Sequence, residues 1–135
     1  MAAGVLVERG RVLVARRKQG AHLAGLWELP GGKCEEGEDP KDALARELRE
    51  ETGLEVRVGP PVCVTFHRYP DADKAVLLLF YEVTRSEGSP EPAPIDVAEL
   101  MWADAEELGA LEFPPADVEV IALLRARLSR GAQAG

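Results

Sequence analysis

GGKCEEGEDPKDALARELREETGL, Gly31 to Leu54, holds a glycine pair, an acidic loop and a helical pattern in twenty-four residues, eight of them acidic. Asp39 followed by Pro40 is an N-cap and first-turn pair, and Gly53 is a C-terminal stop, so a helix is predicted over residues 40–52. At about 100° per residue, Glu47 at 0° puts Glu51 near +40° and Glu50 near −60°. Leu44 and Leu48 fall near +60° and +100° and mark the buried stripe, so the three carboxylates border the core face. Like charges at these spacings destabilise a helix by roughly 0.2–0.5 kcal/mol per pair, and only Arg46, four residues before Glu50, relieves them locally. The pattern calls for a positive ligand that the sequence does not contain.

Working outward, Val5–Val7 and Val12–Ala15 flank Glu8-Arg9-Gly10-Arg11 and read as a hairpin. Residues 26–29 form a brief strand that Pro30-Gly31-Gly32 ends, with both glycines read as turn residues. Val56–Val58, Val62–Phe66 and Ala75–Val83 are further strands, the last two joined by a turn at Pro70–Asp73, and Leu100–Ala103 is a last short one. An apolar stripe at Val118, Ile121, Leu124 and Leu128 predicts a second helix over about 116–129. Residues 1–130 make one domain, and 131–135 are expected to be a disordered tail.

The chain has 135 residues, 46% hydrophobic and 30% charged, which fits one soluble domain. Its apolar run at Ala75–Tyr81 is too short to cross a bilayer. No basic leader precedes Glu8 and Arg9, so a cytoplasmic location is expected, with no membrane partner. Cys34 and Cys63 lack metal-ligand spacing and read as reduced thiols. A net charge of −8 argues against a nucleic acid polymer as partner, and a small polyphosphate would need cations to screen it.

From Gly32 the order is Gly, five residues, Glu38, seven residues, Arg46-Glu47-Leu48, one residue, Glu50-Glu51, one residue, Gly53-Leu54. These nine positions over twenty-three residues match the signature of the Nudix hydrolases in full. Ala15-Arg16-Arg17, Ala21-His22, Leu29 to Lys33, Tyr69-Pro70-Asp71 and Phe113 to Asp117 also resemble segments of that family's MutT-like branch. The resemblance implies an α/β (α+β) fold, an α/β/α sandwich with a mixed sheet and two main helices. It also implies hydrolysis of a phosphoanhydride in a nucleoside triphosphate, releasing nucleoside monophosphate and pyrophosphate, with 8-oxo-dGTP or a related nucleotide as substrate. A cytidine nucleotide or ADP-ribose keeps the same chemistry, and a non-hydrolysing nucleotide-binding module is the alternative of another class.

Water attacking phosphorus meets negative oxygens, which hard divalent cations neutralise while lowering the pKa of the water they bind; carboxylates are their fitting ligands. The resemblance therefore implies Mg²⁺, or Mn²⁺, on Glu47, Glu50, Glu51, Asp96 and the carbonyl of Gly31, with Glu99 competing with Asp96. Glu38 supports the site, Arg46 orients a glutamate, and Glu47 is the candidate base. Arg17, His22, Lys33, Tyr69, Asp71 and Asp117 are the implied substrate contacts, on a monomer or homodimer. Trp27 reads as core before base-stacking platform. Two departures bear on the base: Asp117 stands where the branch carries an asparagine, and Ala72 where it carries an arginine.

Overall fold

The computed structural model describes residues 1–134. Strands β1 (Ala2–Glu8) and β2 (Arg11–Arg16) form the expected hairpin, followed by β3 (Trp27–Glu28), β4 (Gly31–Gly32) and helix α1 (Pro40–Thr52). Then come β5 (Val56–Tyr69), β6 (Lys74–Arg85), β7 (Glu99–Ala103), α2 (Ala105–Ala110) and α3 (Val118–Ala134). The sheet is mixed: β1 runs parallel to β6 and antiparallel to β2 and β4, while β5 closes one edge against β6. β2 also pairs with β3 and β7.

Alternation along β1 explains the three layers. Ala3 and Val5 face a core that contains Val120, Ile121 and Leu124 of α3, whereas Ala2 and Leu6 join Leu44 and Leu48 of α1 on the other face. A strand covered on both sides reads as a continuous apolar run, as β1 and β2 do. The caps of α1 are as expected: Asp39 accepts from the Lys41 N–H at 2.7 Å, and Gly53, at φ 77°, donates to the Arg49 carbonyl at 3.0 Å.

Four local expectations change. β5 is one strand where two were expected, because register shifts around Pro61 absorb the Pro60-Pro61 pair, which lacks ladder donors. Gly31 and Gly32 form β4 against Ala3 and Ala2 instead of a free turn. The short α2 was unforeseen; a capping box between Asp104 and Glu107 starts it. α3 begins after a single 3₁₀ turn at Pro115–Asp117 and runs to Ala134, past the expected helix end near 129; Gly135 lies outside the described residues. Both cysteines are free thiols, and among the described residues no helix is long and apolar enough to cross a membrane.

Candidate active site

The helical wheel orders the three glutamates by burial. Glu51, nearest the Leu44–Leu48 stripe, points inward and leaves its Oε2 buried without a hydrogen-bond partner. Glu47 is intermediate, with a side chain 17% exposed, and Glu50, farthest from the stripe, is 56% exposed. Burial raises the Glu51 carboxyl to about 8; Glu28, Glu47 and Asp96 push the same way, and the Gly31 backbone N–H draws it down.

Arg46 gathers the acids around it. Its Nε and Nη2 each donate to Glu38 at 2.9 Å, a bidentate fork that, with the Glu35 N–H, holds the Glu38 carboxyl down at about 2. Nη2 reaches the Lys33 carbonyl at 3.1 Å, while Nη1 reaches Glu47 Oε1 at 3.1 Å and Glu50 Oε2 at 3.2 Å. Glu50 of the helix ion pair is therefore one of four hydrogen-bonded partners, and Arg46 ties the acidic loop to α1.

The glycine pair is required for space. A Cβ on Gly31 would lie 2.1 Å from the Ala2 carbonyl oxygen, and one on Gly32 would lie 2.4 Å from Cδ of Glu47. Neither glycine adopts a positive φ, so they serve close approach and not a left-handed turn. Gly32 thus seats the Glu47 carboxylate directly on the sheet.

Two adjoining cavities open here. One is lined by Arg17, Lys18, Glu28, Gly31, Gly32, Lys33, Glu51 and Asp96. The narrower one is lined by Arg17, His22, Glu28, Tyr69, Lys74 and Asp117, with Pro114 and Ala116. Met1, Arg17 and Glu28 belong to both and form the throat between them. In the second cavity the His22 ring meets Tyr69 edge-on at 5.4 Å. Asp117 is buried, and burial followed by repulsion from Glu28 raises its carboxyl to about 7 against the pull of Arg17 and the Leu29 N–H.

Of the residues singled out from sequence, Glu38, Arg46, Glu47 and Glu50 come together around one guanidinium, and Gly31, Lys33, Glu51 and Asp96 line the first cavity. Asp96 reaches it from the rim, ion-paired with Lys18, while its backbone N–H donates to the Glu51 carbonyl at 3.1 Å. Glu99 is turned away, paired with Arg16 at 3.3 Å. Asp71 is exposed on the 3₁₀ turn Pro70–Ala72 and is not among the residues that line either cavity. Trp27 packs against the α3-side core. Sequence reasoning missed Glu28; its only signal was an acid inside a short apolar strand.

The donor chemistry of the first cavity is oxygen only, and the orphaned Glu51 Oε2 lacks a positive partner, which fits a hard divalent cation. Among the described residues no three acidic, histidine or cysteine side chains already stand as a cation cage, since Glu47 and Glu50 are turned toward Arg46 and Asp96 toward Lys18.

A family model described as NUDIX domain matches residues 1–124. The chain is 38% identical to the 8-oxo-dGTP diphosphatase of Escherichia coli K12, over 87% of this chain and 88% of that protein. It is 35% identical to the CTP pyrophosphohydrolase of the same organism, over 96% and 94%. The solution structure of the E. coli ORF135 protein superimposes with a TM-score of 0.72 at 30% identity, covering 98% of this chain and 89% of that one.

Proposed function

The chain belongs to the Nudix hydrolase family, and from that premise we propose that it is a divalent-cation-dependent nucleoside triphosphate pyrophosphohydrolase of the nucleotide-pool sanitising kind. Its products would be a nucleoside monophosphate and pyrophosphate, with 8-oxo-dGTP or a close relative as substrate. The observation that carries this reading is the orphaned, buried Glu51 oxygen at the floor of a cleft that continues past Arg17 into a cavity ending at Asp117.

In this reading Glu51, Glu50, Glu47, Asp96 and the Gly31 carbonyl hold Mg²⁺, with Mn²⁺ as the substitute. The cation supplies charge neutralisation at the phosphates and a more acidic water. Arg46 commits Oε1 of Glu47, so the remaining Oε2, over Gly32, takes the proton of the attacking water. Glu38 fixes Arg46. Arg17 and Lys33 grip the phosphates, and His22, Tyr69 and Asp117 receive the base. The acidic surface fits a small nucleotide rather than a polymer, and we take the enzyme to work in the cytoplasm as a monomer or homodimer.

A second reading, a cytidine nucleotide, is favoured by Asp117 itself, because a buried carboxylate accepts from the exocyclic amine of cytosine. The test is a panel of oxidised and normal nucleoside triphosphates, ADP-ribose and dinucleoside polyphosphates with Mg²⁺, the products identified by mass. Monophosphate and pyrophosphate from 8-oxo-dGTP, lost in EDTA, are expected. Preference for CTP would select the second reading, and full activity in EDTA would refute the metal chemistry.

A further inference from the structure

Glu28 is a desolvated carboxylate in a two-residue strand, set at the throat where the two cavities meet. Burial raises its pKa, and only Arg17 draws it back. Such a group is costly to keep unless its partner needs it. β3 pairs with β2 so that Glu28 stands opposite Ala15, and Arg17, two residues on, emerges on the same side. The two side chains are 20% and 22% exposed and bond at 2.6 Å, Arg17 Nη1 donating to Glu28 Oε2. Arg17 Nε donates at 2.6 Å to the His22 carbonyl. The backbone closes around this pair: the Arg17 N–H donates to Leu26 O at 2.9 Å, and Arg17 O accepts from the Gly25 N–H at 3.1 Å.

We propose that Glu28 is a positioning residue: together with the His22 carbonyl it holds the Arg17 guanidinium at two separate nitrogens, Nη1 and Nε, so that its remaining N–H donors are presented to a phosphate lying in the throat. This rests on the nucleotide reading above. Among the described residues two of the five guanidinium donors are committed, one to Glu28 and one to His22, which leaves Nη2 and the second Nη1 hydrogen. An arginine held in this way has surrendered its rotamer freedom before substrate arrives, and the bound phosphate therefore meets a preorganised fork. Glu28 touches no reacting atom and acts through Arg17.

The experiment uses the full chain with Mg²⁺ and the variants Glu28→Ala, Glu28→Gln, Arg17→Ala and Glu28→Ala/Arg17→Ala. Relaxation of the Arg17 Nε–H is measured by NMR without nucleotide. Its order parameter is expected to fall from roughly 0.85 to below about 0.6 in Glu28→Ala, and to stay closer to wild type in Glu28→Gln, which keeps an acceptor oxygen. With 8-oxo-dGTP, Glu28→Ala should raise KM about tenfold with kcat changed less than about threefold. Glu28→Gln should restore most of the loss, and the double variant should be no worse than Arg17→Ala, as expected for two residues acting as one unit. An Arg17 signal unchanged in Glu28→Ala, additive losses in the double variant, or no rescue by Glu28→Gln would each overturn the proposal. Should wild type hydrolyse no nucleotide, the function reading fails, while the relaxation measurement still decides whether Glu28 positions Arg17.

Discussion

Adjacent glycines in β4 should fail in opposite ways when each is replaced by alanine. At Gly31 the new Cβ would meet backbone, the Ala2 oxygen at 2.1 Å and the Ala3 Cα at 2.6 Å. The β1–β4 pairing must part, because neither strand has a side chain there that can swing away. Overpacking of this kind costs about 1–3 kcal/mol, which for a domain of this size lowers Tm by roughly 3–12 °C. At Gly32 the Cβ would instead meet Cδ and Oε2 of Glu47, at 2.4 and 2.5 Å, the far end of a flexible side chain. Glu47 would rotate off the sheet at the loss of one contact to Arg46, so the fold should lose less than about 1 kcal/mol. Activity should respond the other way. With the Glu47 carboxylate displaced, kcat/KM for the preferred nucleotide should fall on the order of 10²-fold, equivalent to about 2.7 kcal/mol of transition-state stabilisation. Thermal denaturation and steady-state kinetics on both variants, at saturating Mg²⁺, separate the two effects. A Gly32→Ala protein with wild-type kinetics, or a Gly31→Ala protein with wild-type Tm, would refute the idea that these glycines serve close approach.

Two further predictions concern the raised carboxyls. Burial holds the Glu51 carboxyl up at about 8 and that of Asp117 at about 7 in the folded chain, against ordinary values of 4.5 and 3.8. At these two groups the folded state therefore binds more protons between those limits, and their contribution to metal-free stability should be full near pH 4 and lost as pH rises toward 8. Glu51→Gln should flatten that decline while reducing hydrolysis on the order of 10²-fold, and millimolar Mg²⁺ should raise Tm most at the alkaline end; a Tm of the metal-free protein that climbs from pH 5 to 8 would contradict this. Asp117 should donate to the guanine O6 below pH 7 and only accept above it. The wild-type ratio of kcat/KM for 8-oxo-dGTP over dGTP should therefore shift about tenfold between pH 6 and 8, and Asp117→Asn should remove the shift; identical profiles for the two proteins would make Asp117 a helix-start residue alone.

Local sequence rules were sufficient for α1. Its cap, its stop and the angular order of Glu51, Glu47 and Glu50 around the Leu44–Leu48 stripe all follow from residues within one helix, since a 3.6-residue period fixes relative direction without any distant contact. The box spacing named the family for the same reason, being a property of neighbours in the chain. Strand–strand pairing is different, because it joins residues far apart in sequence through registers that no local pattern records. The pairing of Gly31 and Gly32 with Ala3 and Ala2 turned two apparent turn residues into the seat of Glu47. The β2–β3 register set Glu28 beside Arg17 and made an unremarked acid the throat of the cleft. Asp71, which resembled a substrate contact in its tripeptide, stands exposed on the 3₁₀ turn Pro70–Ala72, a placement that the tripeptide does not record. Which carboxylates already have partners was likewise decided by packing: Arg46 holds Glu47 and Glu50, Lys18 holds Asp96, and among the described residues Glu51 alone keeps a buried side-chain oxygen without a partner.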